Sequence, residues 1–322
     1  MRNGDRYSNN TSFHMNIIKA ISDNKSGYCI RLANGQRWQL IASEGKRSWV
    51  EKLASIMELE TCDENGYPKL IFIRKETDKQ RRGEPICYLA PKMQDSLPRG
   101  GWQAHKLPAI HLWYHRDVPD VICEYGHEDS HELDILRKSL ALYPIFERAQ
   151  SSGGLPFHAG LVERDGKGIL LAASGNIGKS TCCRRLYSPW HPLCDDEALV
   201  VRDDLKRYLA HPFPTWSDHL WRNSEQTWNV EENVLLSAIF FLEQSETDEV
   251  SRMGQGKVAV SINESAEQVC HRFWSNLNSE ELRARRKKVF ENACELAGSI
   301  PAFRLRVSLK GRFWEKIEAV LP

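Results

Sequence analysis

At 322 residues the chain is long enough for two domains, and 41% apolar against 27% charged residues describes a globular protein able to bury a core. Lys and Arg (44) nearly balance Asp and Glu (43), and the net charge of +1 excludes a global attraction to nucleic acid or to a membrane surface. The polar opening from Met1 to His14 has no apolar stretch suited to secretion, and no apolar run is long enough to cross a bilayer, so the expectation is a cytoplasmic protein without a membrane span. Nine scattered cysteines, an odd total without a C-x-x-C pair, are expected to be reduced and mostly buried.

In chain order, Tyr28–Leu32 and Trp38–Ile41 alternate around Asn34-Gly35, the pattern of a hairpin. Ser48–Met57 then spaces Trp49, Val50, Leu53, Ile56 and Met57 as one face of a helix. Lys69–Arg74 and Pro108–Tyr114 read as strands, and the polar stretches 75–83 and 94–101 between them as exposed loops. A further helix is expected over Ser130–Tyr143, with Leu133, Leu136 and Leu140 on its apolar side and Pro144 at its end. The turn-forming Ser151-Ser152-Gly153-Gly154 follows at once. These signals predict a smaller, sheet-rich N-terminal domain over 1–128, a candidate for substrate or partner binding, and a second domain over 129–322.

The second half changes to strand, glycine loop, helix, strand, the rhythm of an α/β nucleotide-binding unit. Gly168–Ala172 is a short apolar strand, and Ser180–Leu186 has no helix breaker until Pro189. Between them lies a phosphate-loop string, in which Ser174, Gly175, Asn176, Ile177, Gly178, Lys179, Ser180 and Thr181 are the candidates for wrapping a nucleotide triphosphate. Lys179 would reach the β- and γ-phosphates and Ser180 would ligate Mg²⁺. Ala173 stands where the motif has its first glycine, which a tight turn tolerates only at negative φ. The acidic run Asp195-Asp196-Glu197 adjoins a strand, Ala198–Val201. A carboxylate pair there can divide metal contact from proton acceptance. His158 precedes the loop by one hairpin, which makes it a neighbour with either a structural or a catalytic role.

The order His158-Ala159-Gly160, strand, Asp-Gly turn, "GILLAASGNIGKST", helix, "LCDDEALVV" resembles the C-terminal kinase domain of the HPr kinase/phosphorylase family, over roughly residues 130–245. A narrower resemblance, carried by "STCCRRLYSPWHPLCDDEALVV" and "IPAFRLRVSLKGRFWEKIE", is to the SynChlorMet cassette protein ScmC family, named for its place beside radical-SAM proteins and a small peptide. The resemblance implies an HPr-kinase-like P-loop domain with a mixed sheet, α/β in class and α+β overall. ATP and Mg²⁺ would be its cofactors, with Ser180 and Asp195 on the metal. Asp195 and Asp196 would share metal contact and general-base work, with Asp196 as base and Lys179 on the phosphates. His158 would lie near the γ-phosphate, hydrogen-bonded to one carboxylate. Two departures stand out. Ala173 replaces a glycine, and the Arg- and Gly-rich HPr-kinase signature is missing, so HPr itself is not implied as substrate.

The expected activity is a kinase transferring the γ-phosphoryl group to a hydroxyl, of a peptide serine or threonine or of a small molecule. Radical-SAM cassette proteins and a second copy of the chain are the candidate partners; nucleic acid and membrane are not. The alternatives are a catalytically inactive nucleotide-binding scaffold for a peptide-modifying enzyme, and an ATPase activating water. Three further stretches carry expectations. His211–Ser217, with two prolines, reads as an irregular loop on the substrate side or a plain connector. Val234–Leu242 and Val258–Ile262 read as strands. Arg283–Lys288 lies within a helix over Ser279–Ala297 whose buried side is Leu282, Val289, Phe290, Ala293 and Leu296, and reads as a solvated face before a nucleic-acid patch. Arg184 and Arg185, one turn past the loop, suit transferred-phosphate charge and surface duty equally.

Overall fold

The computed structural model of the chain describes residues 27–42, 47–62, 66–74, 98, 101–126, 130–173, 177–222 and 224–321. They form an α/β protein with two mixed sheets. The chain divides into two compact units, Met1–Arg31 with Arg37–Pro144, and Leu32–Gln36 with Ile145–Pro322.

In the first unit, β1 (Gly27–Arg31) and β2 (Arg37–Ala42) are the predicted antiparallel pair. Their connection is Leu32–Gln36 rather than Asn34-Gly35 alone, because Leu32 N–H donates to Gln36 O at 2.8 Å. The strands β3 (Thr61–Cys62), β4 (Lys69–Arg74), β5 (Gln103–Lys106), β6 (Ile110–His115) and β7 (Val118–Tyr125) complete a seven-stranded sheet in the order β3-β1-β2-β4-β7-β6-β5. The pairs β2–β4 and β4–β7 are parallel, and α1 (Arg47–Ile56) lies in the crossover that the first of them needs. α1 buries Trp49, Val50 and Leu53, as its spacing predicts; Trp49 stacks on Tyr125 at 4.8 Å and meets Phe72 at 5.1 Å. The expected loops over 75–83 and 94–101 lie almost wholly outside the described residues.

The helix α2 (His131–Ala141) is capped by Ser130, whose side chain accepts from Leu133 N–H. Its buried face is not the leucine stripe: Leu133 and Leu136 are half-buried, while Asp134, Ile135, Lys138 and Leu140 are buried. One helical turn separates Asp134 from Lys138, which is fully buried and donates to that carboxylate, its ammonium 4.7 Å from the Trp49 ring centre. Mutual neutralisation and the cation–π contact let two charges occupy apolar positions. Pro144 opens the next helix, α3 (Tyr143–Ser151), in whose first turn a missing N–H costs nothing. Cys29 and Cys62 are joined in a disulfide between β1 and β3, with Cα atoms 5.9 Å apart, which corrects the expectation of wholly reduced thiols.

The second unit is built on two long strands, β8 (Leu155–Arg164) and β13 (Val234–Gln244). Between them lies β9 (Lys167–Ala172), antiparallel to β8 through the Asp165-Gly166 turn and parallel to β13. The first part of β8 pairs with β11 (Glu197–Arg202) and its last part with β10 (His191–Cys194). β12 (Tyr208–Phe213) pairs with both β11 and the start of β13, closing a ring of strands. β15 (Ala302–Val307) runs parallel to the far end of β13, with β14 (Glu249–Arg252) at its edge. One face buries Leu171, Phe240 and Leu305 under α4 (Lys179–Arg185) and α8 (Phe313–Glu318). Arg185 fixes that layer by donating to Ser308 O (2.7 Å) and Gly311 O, so it serves the fold, while Arg184 is exposed.

Two strand-or-loop expectations are overturned. Val258–Ile262 belongs to α6 (Gln255–Cys270): buried Val258, Ile262, Ala266 and Val269 recur at helical spacing, which the five-residue window hides. His211–Phe213 is strand, not loop; β12 leaves β13 after Ala210, so Pro212 needs only the β11 partner that it has. α7 (Ser279–Ser299) forms as predicted, with Asn278 and Glu281 in a capping box, and α5 (Trp216–Arg222) follows β12. The buried side of α7 is Val289, Asn292, Ala293 and Leu296; Leu282 is half-buried and Phe290 exposed, and Asn292 is satisfied by Gln150 O and Gly154 O. Among the described residues no helix is long and apolar enough to cross a membrane.

Candidate active site

Two strand ladders bring the sequence motifs together. On one side of β8, Ala159 lies opposite Ala172, the last residue of β9, so the glycine loop starts beside His158. On the other, His158 itself lies opposite Glu197, so the preceding Asp195-Asp196 turn comes to the same place. The resulting chain of contacts runs Lys179, His158, Asp196. The Lys179 ammonium donates to His158 Nε2 and, at 3.3 Å, to Ala173 O. His158 Nδ1 lies 3.6 Å from Asp196 Oδ1, within ion-pair distance but beyond the hydrogen bond that the resemblance implies. With Nε2 accepting from a cation, the proton of a neutral ring belongs on Nδ1, toward the carboxylate. Burial first, and then the charge of Lys179, hold the His158 pKa below its usual value, while Asp196 pulls the other way. Burial likewise lowers Lys179, opposed by Asp196 and Asp195.

The loop backbone is described at both ends; Ser174, Gly175 and Asn176 lie outside the described residues. Ala173 is not among the positive-φ residues, so its methyl group costs no left-handed strain. Gly178 does need its freedom: it takes φ +105° at the N-cap of α4, a conformation that side-chain-bearing residues rarely adopt. Ser180 is half-buried and Thr181 exposed at the start of that helix, and Ile177 O accepts from Gln244 Nε2 at 3.4 Å.

The acidic run separates into distinct roles. Thr215 Oγ1 donates to Asp195 Oδ1 at 2.7 Å and fixes that carboxylate; Thr215 comes from the 211–217 stretch flagged as substrate-side, although His211 itself is buried with Nδ1 donating to Val230 O. Burial pushes the His211 ring down to about 4, which keeps it neutral. Glu197, by contrast, turns inward, buried and paired with Arg272 at 2.8 Å, so two carboxylates rather than three face the loop. Sequence reasoning flagged the stretch that holds Thr215 without giving that residue a role, and it missed Arg272 and Ser265, whose hydroxyl donates to His158 O at 3.3 Å. Among the described residues no three metal-ligating side chains cluster.

The cysteines around the site are buried. Burial pushes Cys182 up to about 11 and Cys194 up to about 12, so both remain thiols. Cys183 instead sets a packing limit: a Cβ on Gly160 would stand 2.5 Å from its Sγ and 3.4 Å from Cys194 O. Gly160→Ala is therefore expected to lower stability by about 1–3 kcal/mol through overpacking, read as a lower urea midpoint at unchanged slope.

The family described as SynChlorMet cassette protein ScmC matches residues 121–322, more than half of the chain. The chain belongs to the ScmC family. The match takes in all of the candidate site, from His158 to Arg272, and begins inside β7. Among curated proteins none matches significantly.

Proposed function

We propose that this ScmC-family chain is an ATP-dependent kinase of the HPr-kinase-like type, transferring a phosphoryl group to a hydroxyl, with a serine or threonine of a peptide as the favoured acceptor. The observation that carries the reading is the Lys179–His158–Asp196 chain, drawn from three separate stretches and set at the mouth of a glycine turn. Such a site suits phosphoryl transfer, where positioning and charge neutralisation do most of the catalysis. ATP with Mg²⁺, when bound, would supply the γ-phosphoryl group. The residues fit it: Gly178 offers an approach with no side chain, Lys179 a cation now held by a histidine and a carbonyl, Ser180 a half-buried hydroxyl, and Asp195 a carboxylate already oriented.

In this reading Lys179 would hold the phosphate oxygens, and Ser180 and Asp195 would hold the metal. Asp196 takes the proton of the attacking hydroxyl, with His158 Nδ1 beside it at 3.6 Å. The membership in a cassette family supports a peptide as acceptor by context alone.

Calorimetry with Mg²⁺ATP tests the first step. The parent is expected to bind and Lys179→Ala to weaken binding at least about tenfold, since a charge-assisted contact to phosphate is worth some 1.5–3 kcal/mol. A folded parent that binds neither ATP nor ADP would remove the nucleotide from the site.

A further inference from the structure

The basic stretch of α7 takes no part in the site above. Arg285 turns back onto Glu147, but Arg283 and Arg286 have no carboxylate within ion-pair distance among the described residues. Leu282, Arg286 and Phe290 lie on successive turns of α7, with Arg283 and Lys287 one position beside them, so the five share a helix face. They wall a cavity of about 500 Å³ whose other side is α6.

From α6, Asn263 and Glu267 face the cavity. Asn263 Nδ2 donates to Glu267 Oε1 at 3.2 Å, which leaves its Oδ1 buried with no donor. Phe290 is 46% exposed, an aromatic side chain open to solvent one turn beyond Arg286, while Lys287 beside it pairs with Glu291 at 3.8 Å. The groove thus combines an apolar floor with positive charge along one wall.

We propose that the α6–α7 groove docks a segment of a partner protein, an acidic peptide carrying one bulky apolar residue. Its carboxylates meet Arg283 and Arg286, and its apolar side chain lies on Leu282 and Phe290. Charge complementarity selects acidic side chains, and the apolar floor selects a residue that a bare polyanion does not have. Nucleic acid fits less well, because its fixed phosphate spacing would bring charge against Glu267, whereas a peptide can keep its carboxylates on the α7 side.

Fluorescence anisotropy with short fluorescein-labelled peptides tests the assignment. One probe contains Glu, Ser and a single Phe; in the second Gln replaces Glu, and in the third Ser replaces Phe. The first is expected to bind with a Kd on the order of 10 μM at low salt, as suits a small interface, and the other two at least about tenfold more weakly. The double variant Arg283→Glu, Arg286→Glu and the single variant Phe290→Ala should each reproduce that loss while keeping the parent's circular dichroism and melting temperature. Lys179→Ala should bind the probe as the parent does, which keeps this inference separate from the kinase reading. No binding of the first probe, equal binding of all three, unchanged binding by either groove variant, or tighter binding of a single-stranded oligonucleotide would each overturn it.

Discussion

Asp196→Asn is expected to bind Mg²⁺ATP as the parent does and to lose phosphoryl transfer by a factor of about 10²–10⁴. The substitution keeps the shape of the side chain but replaces an oxygen that can take a proton with an amide that cannot. Asp196 is half-buried, with His158 Nδ1 at 3.6 Å, so the exchange creates no cavity and strands no buried charge. Loss of rate without loss of binding is the signature of an interaction made only in the transition state. The measurement is γ-phosphoryl transfer to a pool of Ser- and Thr-containing peptides, run beside phosphate release without acceptor. Transfer by the variant at the parent's rate would remove Asp196 as the base. Phosphate release that needs no acceptor and falls in the variant would replace the hydroxyl by water, an ATPase. A parent that binds ATP and transfers to nothing would leave a nucleotide-binding scaffold.

What was legible in the sequence was local. The strand before the glycine loop, the helix after it and the Asp165-Gly166 turn are each fixed by neighbouring residues, and they formed as read. Pairing at long range was not legible. The ladder placing His158 opposite Glu197 joins residues far apart in the chain, and no spacing rule announces it. Thr215 and Arg272 stayed hidden for the same reason, since a threonine in a proline-rich stretch and an arginine at a helix end carry no pattern until the fold brings them to Asp195 and Glu197. The errors have physical causes too. Val258–Ile262 is a β-branched window within a longer helical period, and the leucines of α2 mislead because an ion pair, not apolar carbon alone, fills the buried face.

Arg272→Met should cost about 3–5 kcal/mol at neutral pH, the usual penalty for leaving one member of a buried ion pair alone. Glu197 is buried opposite His158, and Arg272 is its cation at 2.8 Å. Burial holds the Glu197 carboxyl above its ordinary value even with Arg272 present, and Asp196 pushes in the same direction. A raised folded pKa means that the stability contributed by the protonated group is complete below the unfolded value, 4.5, and is lost as pH rises through the folded one. Without Arg272 the folded pKa rises further, so the deficit of the variant should widen from acid toward neutral pH. Urea unfolding at about pH 5 and about pH 8 reads this directly, with the larger loss at the higher pH. The double variant Glu197→Gln, Arg272→Met should recover part of the loss at about pH 8, because an amide leaves no charge to bury. An equal deficit at both pH values would assign the loss to Arg272 packing over Phe273, where the guanidinium lies 4.7 Å from the ring centre, instead of to charge. The distinction reaches the site, because Glu197 continues directly from Asp196 and faces His158 across the ladder. If charge governs, the buried pair anchors the strand that holds the proposed base, and its loss should lower transfer by Asp196 at pH values where the fold survives.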